Sequence, residues 1–110
     1  MIAYETRAPG APLEAVESGT PTPQGTEVLI RMRACGVCHS DIHLHEGVFN
    51  LGNGKQLEVG HPGQVLGHEI FGEVVALGPD ATGVALGDRR VVYPWIGCGS
   101  GPSCRRGEEH

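Results

Sequence analysis

Glycine and proline interrupt this chain along its whole length: 18 Gly and 8 Pro occupy 26 of 110 positions, about twice the usual share of roughly 12%. Glycine costs a helix or strand interior conformational entropy, and proline removes a backbone donor, so no element can run far. Yet 39% of the residues are hydrophobic, too many for a disordered chain. Short strands joined by many turns satisfy both facts. The length fits one domain, residues 1–110,.

The strongest alternation runs from Thr26 to Ala34, with Val28, Ile30 and Met32 on one side and Glu27, Arg31 and Arg33 on the other. Period two predicts a half-buried strand. Ile70 to Leu77 reads as a second strand, ended by Gly78-Pro79-Asp80, and Arg89 to Tyr93 as a third. Met1 to Arg7 reads as an edge strand. Cys35 to Glu46 reads as a turn entering a short helix, with Ser40 or Asp41 near the N-cap and Gly47 as the stop,. The Gly-rich stretch from Val48 to Gln64 reads as a long loop bordering a cleft,. Ile96 to His110 reads as a Cys- and Gly-rich loop. The expected fold is a small, mainly β, antiparallel barrel with one short helix. No βαβ rhythm occurs, and no G-x-G-x-x-G follows a strand and opens a helix.

Acidic residues outnumber basic ones, 13 against 8, for a formal charge of −5. That balance argues against nucleic-acid and anionic-membrane partners, which select basic patches. No apolar run approaches the roughly 20 residues of a spanning helix, and the first ten residues lack signal-peptide features. A cytoplasmic location is expected. Four cysteines in that setting point to metal binding or catalysis before disulfides,.

The densest chemical cluster is Cys35-Gly36-Val37-Cys38-His39-Ser40-Asp41-Ile42-His43, where a strand hands over to a helix. His39 and His43 lie on one helix face. About thirty residues on comes Gly67-His68-Glu69, at the entry to the second strong strand. Thiolate plus imidazole suits zinc. His45, His61 and His110 have no such partners and read as solvated surface, as does Glu108-Glu109. Cys35-x-x-Cys38 also permits a dithiol redox reading, though its usual βαβ setting is missing.

These motifs resemble those of zinc-dependent alcohol dehydrogenases of the medium-chain family. Gly36-Val37-Cys38-His39-Ser40-Asp41 followed by His43 is similar to the catalytic-zinc segment. Gly67, His68, Glu69, Gly72 and Gly78 match the zinc signature G-H-E-x-x-G-x5-G. Gly87-Asp88-Arg89 then Val91 resembles the family's strand entry, and Pro94 to Gly107 resembles its structural-zinc lobe. The resemblance covers nearly the whole chain.

The resemblance implies a GroES-like barrel and NAD(P)-dependent oxidation of a small alcohol to an aldehyde or ketone by a homo-oligomeric enzyme. It implies Cys38 and His68 as catalytic zinc ligands, the Cys2His ligation known for that family. Glu69 would be an alternative ligand beside the metal, and Asp41 would orient the His68 imidazole. Ser40 would take the alcohol proton, His43 would pass it to solvent, and His39 would lie near the cofactor pyrophosphate. The third zinc ligand and the nucleotide-binding (Rossmann) domain would lie beyond residue 110, making this chain an inactive N-terminal fragment. A non-catalytic zinc or barrel module is the other reading of the same fold.

The structural lobe departs from the family's four cysteines. Cys98 and Cys104 are present, but Gly101 stands where the second cysteine belongs. Two thiolates cannot close a four-coordinate site, so no tetrahedral structural zinc is expected there.

Overall fold

The computed structural model describes residues 1–108. The elements in chain order are β1 (Ile2–Glu5), β2 (Glu14–Glu17), β3 (Val28–Gly36), α1 (His39–Glu46), β4 (Val48–Gly52), β5 (Lys55–Glu58), β6 (Glu69–Leu77), β7 (Arg89–Val91) and α2 (Pro102–Arg105). Every strand pairing is antiparallel.

The three strands expected from alternation and turn signals form one sheet, in the order β3-β6-β7. Its axis is the nine-residue pair β3 and β6, which runs from Val28 opposite Leu77 to Gly36 opposite Glu69. Two register shifts, at Leu29/Ile30 and Met32/Ala34, mark bulges. Bulges bend a strand and re-aim its end. The pairing sets the end of β3 beside the start of β6, so residues just after Gly36 meet residues just before Glu69.

The stretch from Val48 to Gln64 is not one long loop. Its first half is the hairpin β4–β5, with Val48 opposite Glu58 and Asn50 opposite Gln56. The tip passes through Gly52, Asn53 and Gly54, all with positive φ (83°, 51° and 74°). Glycine and asparagine reach that region at the lowest cost, so the Gly-rich composition here signals a tight hairpin turn. β2 was also not expected. Its four residues, Glu-Ala-Val-Glu, are too few for alternation to register, and pairing with β1 makes them a strand. A second short helix, α2, occupies part of the expected terminal loop, with Pro102 in its first turn,.

The strands do not close into a ring within the described residues. They form three sheets, and an isolated bridge from Glu5 to Val65 ties the first to the segment before β6. Thr6 reinforces that tie: its N–H donates to the Gln64 carbonyl (2.9 Å), and its buried hydroxyl donates to the His61 carbonyl (2.8 Å).

The interior is thin. Val74, 1% exposed, is the one fully buried apolar side chain among the described residues. Accessible surface totals 8171 Å², against about 5,800 Å² for a compact monomer of this mass. The radius of gyration is 16.6 Å, where about 13 Å is usual for this length. Tyr4, Met32, Trp95 and Ile96 all stand largely in solvent. Hydrogen bonds and strand register, more than packing, hold the site described next.

Candidate metal centre

The centre forms where β3 runs out into α1 and the chain re-enters at β6. Asp41 organises it. This carboxylate is 8% exposed and sits in the first turn of α1. Its Oδ2 accepts from the Cys38 N–H at 3.0 Å. Its Oδ1 accepts from the Gly67 N–H at 3.1 Å and stands 3.2 Å from His68 Nδ1. One side chain therefore caps the helix and pins the turn before β6 to it. The helix N-cap is Cys38, with Ser40 and Asp41 close behind it as expected. Asp41 caps from three residues inside, reaching back to a free backbone N–H.

Fixing Nδ1 of His68 on a carboxylate leaves Nε2 as the free ring nitrogen. The Ser40 hydroxyl lies 3.4 Å from that Nε2 and donates to Cys38 Sγ at 3.2 Å. One ligand atom each from Cys38, His68 and Glu69 lies within 4.8 Å of the others. Gly67 precedes His68 at φ +104°, and a Cβ there would stand 2.8 Å from Cys35 Sγ. That position needs both the glycine backbone and its missing side chain.

The electrostatics of the pair agree with a ligand role. The Cys38 thiol is held below its ordinary range, first by the Ser40 hydroxyl and backbone N–H and then by His68. The His68 pKa is raised, first by its hydrogen bond with Cys38 and then by the Asp41 charge. Each group favours the charged form of the other, which eases deprotonation of the sulfur that a metal would need,. Thiolate sulfur, imidazole nitrogen and carboxylate oxygen are all zinc donors, and a carboxylate behind the imidazole is the usual support. The residues fit zinc.

The other expected site residues fall around this core. His39 is exposed and stacks on His43, with ring centroids 4.7 Å apart. His43 is half-buried; its ring lies 5.0 Å from Phe49 on β4, and its Nδ1 lies 3.8 Å from Glu46. No hydrogen bond among the described residues joins Ser40 to His43. Cys35 is exposed, with its thiol against the Gly36 carbonyl at 3.4 Å, and is not one of the clustered donors. His45 is not solvated surface: it is half-buried, and its Nε2 lies 2.7 Å from the Ala11 carbonyl. His61 and Glu108 are exposed as expected, whereas Glu109 and His110 lie outside the described residues. Two contributors had no sequence signal of their own. The Gly67 amide acts through its backbone, and Phe49 reaches His43 only because the hairpin folds over α1.

The sequence pattern of a family described as "Alcohol dehydrogenase GroES-like domain" matches residues 24–110. The chain belongs to that family. Over 102 residues, 92% of its length, it is 46% identical to a NAD-dependent alcohol dehydrogenase of Saccharolobus solfataricus. Over 110 residues it is 38% identical to an L-threonine 3-dehydrogenase of Pyrococcus horikoshii. Among solved structures, a cobalt- and zinc-bound thermostable alcohol dehydrogenase from Pyrobaculum aerophilum superposes on 99% of this chain, with a TM-score of 0.82 and 33% identity. This GroES-like chain spans 29% and 30% of the two relatives' lengths and 31% of that solved chain.

Proposed function

We propose that this chain supplies the metal-binding part of a zinc-dependent alcohol dehydrogenase, which oxidises an alcohol to an aldehyde or ketone with hydride transfer to NAD or NADP. The observation that carries the reading is the placement of Ser40. Its hydroxyl contacts both Cys38 and His68, the two strongest donors of the centre. A structural metal site has no use for a hydroxyl there, whereas alcohol oxidation needs a proton acceptor beside the metal.

Cys38 and His68 would hold zinc, with Glu69 as the adjacent carboxylate. When bound, zinc supplies Lewis-acid polarisation of an alcohol oxygen, which lowers the pKa of its proton. Ser40 Oγ would accept that proton while releasing its own hydroxyl proton towards solvent, so no further charge would build beside the site. His43, half-exposed and next to Glu46, is the group that would carry the proton on to solvent. Asp41 keeps Nε2 of His68 directed at the centre and fixes the ring tautomer. His39, exposed at the start of α1, is placed to meet a cofactor phosphate.

The binding site for the hydride acceptor and the third zinc ligand would be supplied outside residues 1–110. A nicotinamide held there would supply the hydride acceptor, with the protein positioning it. The relatives named for NAD and the zinc-bound neighbour support this reading. A cytoplasmic setting fits four free cysteines,. The open, apolar surface fits a homo-oligomer.

The test is alcohol-dependent nicotinamide reduction by the zinc-loaded protein that carries this chain. Ser40→Ala should lower kcat by about 10²–10⁴-fold with zinc content unchanged. Wild-type turnover in Ser40→Ala would remove the proton role. A zinc-loaded protein that turns over no alcohol would overturn the proposal itself.

A further inference from the structure

Away from the metal centre, the segment after β7 brings two sulfurs together. Cys98 Sγ lies 3.8 Å from Cys104 Sγ, which is van der Waals contact. Both cysteines are free, Cys98 exposed and Cys104 half-buried on α2. Cys98 Sγ accepts from the Gly101 N–H at 3.2 Å and lies 3.9 Å from the Ser100 hydroxyl. A Cβ at position 101 would stand 3.3 Å from that sulfur, so Gly101 leaves room around it. The one group of three or more metal donors among the described residues is Cys38, His68 and Glu69. The Cys98–Cys104 pair therefore has contact geometry and accessibility, with no third donor among the described residues.

We propose that Cys98 and Cys104 form a thiol–disulfide exchange site, with Cys98 as the attacking sulfur, Cys104 as the resolving sulfur, and a low-molecular-weight disulfide of the glutathione class as oxidant. The two sulfurs are not equivalent, and their difference sets the order. Cys98 is the one an incoming disulfide can reach. Its pKa is lowered to about 7, chiefly by the backbone N–H groups of Ser100 and Gly101, so a large thiolate fraction exists at neutral pH,. Cys104 is shielded and lies against the first sulfur.

The electron count closes in two steps. Cys98 thiolate attacks one sulfur of the oxidant; a Cys98–S–S–R bond forms, the oxidant's own S–S bond breaks, and R–S⁻ leaves and takes up a proton. Cys104 sulfur, giving up its proton, then attacks Cys98 Sγ and expels the second R–S⁻. The protein dithiol loses two electrons, and the oxidant becomes two thiols. Ring closure brings the sulfurs from 3.8 Å to about 2.05 Å. The product ties the segment after β7 to α2.

The experiment uses the full chain in a Cys38→Ser background, exposed to oxidised glutathione and read by intact mass and peptide mapping. The parent should lose two hydrogens and become resistant to alkylation at both positions. Cys104→Ser should stop as a glutathione adduct on Cys98. Cys98→Ser should react severalfold more slowly, because it removes the exposed sulfur that an incoming disulfide reaches first,. Three results would overturn the proposal. One is an adduct on Cys98 that persists beside an intact Cys104. Another is equal rates for the two single variants. The last is one tightly held zinc per chain that must be stripped before either sulfur reacts.

Discussion

The carboxylate of Asp41 stands 3.2 Å from Nδ1 of His68, which decides the ring nitrogen that faces Cys38. The same carboxylate holds the Cys38 and Gly67 amides. Helix start, turn and ligand orientation thus hang on one buried group. An amide in its place keeps the shape but replaces one acceptor oxygen with a donor.

Asp41→Asn should accordingly lower zinc affinity by about 10–100-fold, the usual effect of losing a carboxylate behind a metal-bound imidazole. Competition with a chromophoric chelator measures it. Asp41→Ala should also lose stability by about 1–3 kcal/mol, because it leaves buried donors without acceptors.

The two cysteines of Cys35-x-x-Cys38 should behave oppositely. Cys38→Ser should abolish cobalt or zinc binding, while Cys35→Ser should leave it nearly unchanged. The thiolate-to-cobalt absorption band reads the difference directly. Metal binding that follows Cys35 and ignores Cys38 would reverse the ligand assignment.

Much of this centre was legible before any coordinates. Cys38, His68 and Glu69 announce themselves by residue type, and the flanking alternation of Thr26–Ala34 and Ile70–Leu77 predicts the two strands that bring them together. The capping arrangement was less legible. Ser, Asp and Cys all stand within four residues of the helix start, and only backbone geometry selects Cys38 as the cap. The hairpin β4–β5 was hidden because Gly52-Asn53-Gly54 looks the same in a loose loop and in a tight turn. The closeness of Cys98 and Cys104 was implied only by the resemblance to the structural-zinc lobe, not by the local pattern. It depends on α2, a single turn whose four residues carry no periodicity.

Gly67 offers a test of local crowding. Gly67→Ala places a Cβ at φ +104° and 2.8 Å from Cys35 Sγ. The expected loss is about 1–3 kcal/mol. In a Cys35→Ala background the steric share disappears and the backbone share remains. A double-mutant cycle in chemical denaturation should therefore give a coupling of at least ~0.5 kcal/mol.

Cys98 should show its own titration. Only the thiolate alkylates, so a thiol held at about 7 reacts faster as pH rises through that value and levels off above it. Iodoacetamide rates at Cys98, followed by peptide mapping from mild acid to mild alkali, should reach half their plateau near pH 7. Gly101→Pro, which removes one N–H donor, should move that midpoint upward.

The near-solitary burial of Val74 has a calorimetric meaning. Heat capacity follows apolar surface taken out of water, and a packed domain releases about 12–15 cal/mol/K per residue on unfolding. Here most of that surface is still wet in the folded chain, so melting it changes little. A heat-capacity step of packed-domain size is expected only where Met32, Trp95 and Ile96 are covered,. Cooperativity then depends on that cover, while the candidate metal site is already drawn in hydrogen bonds.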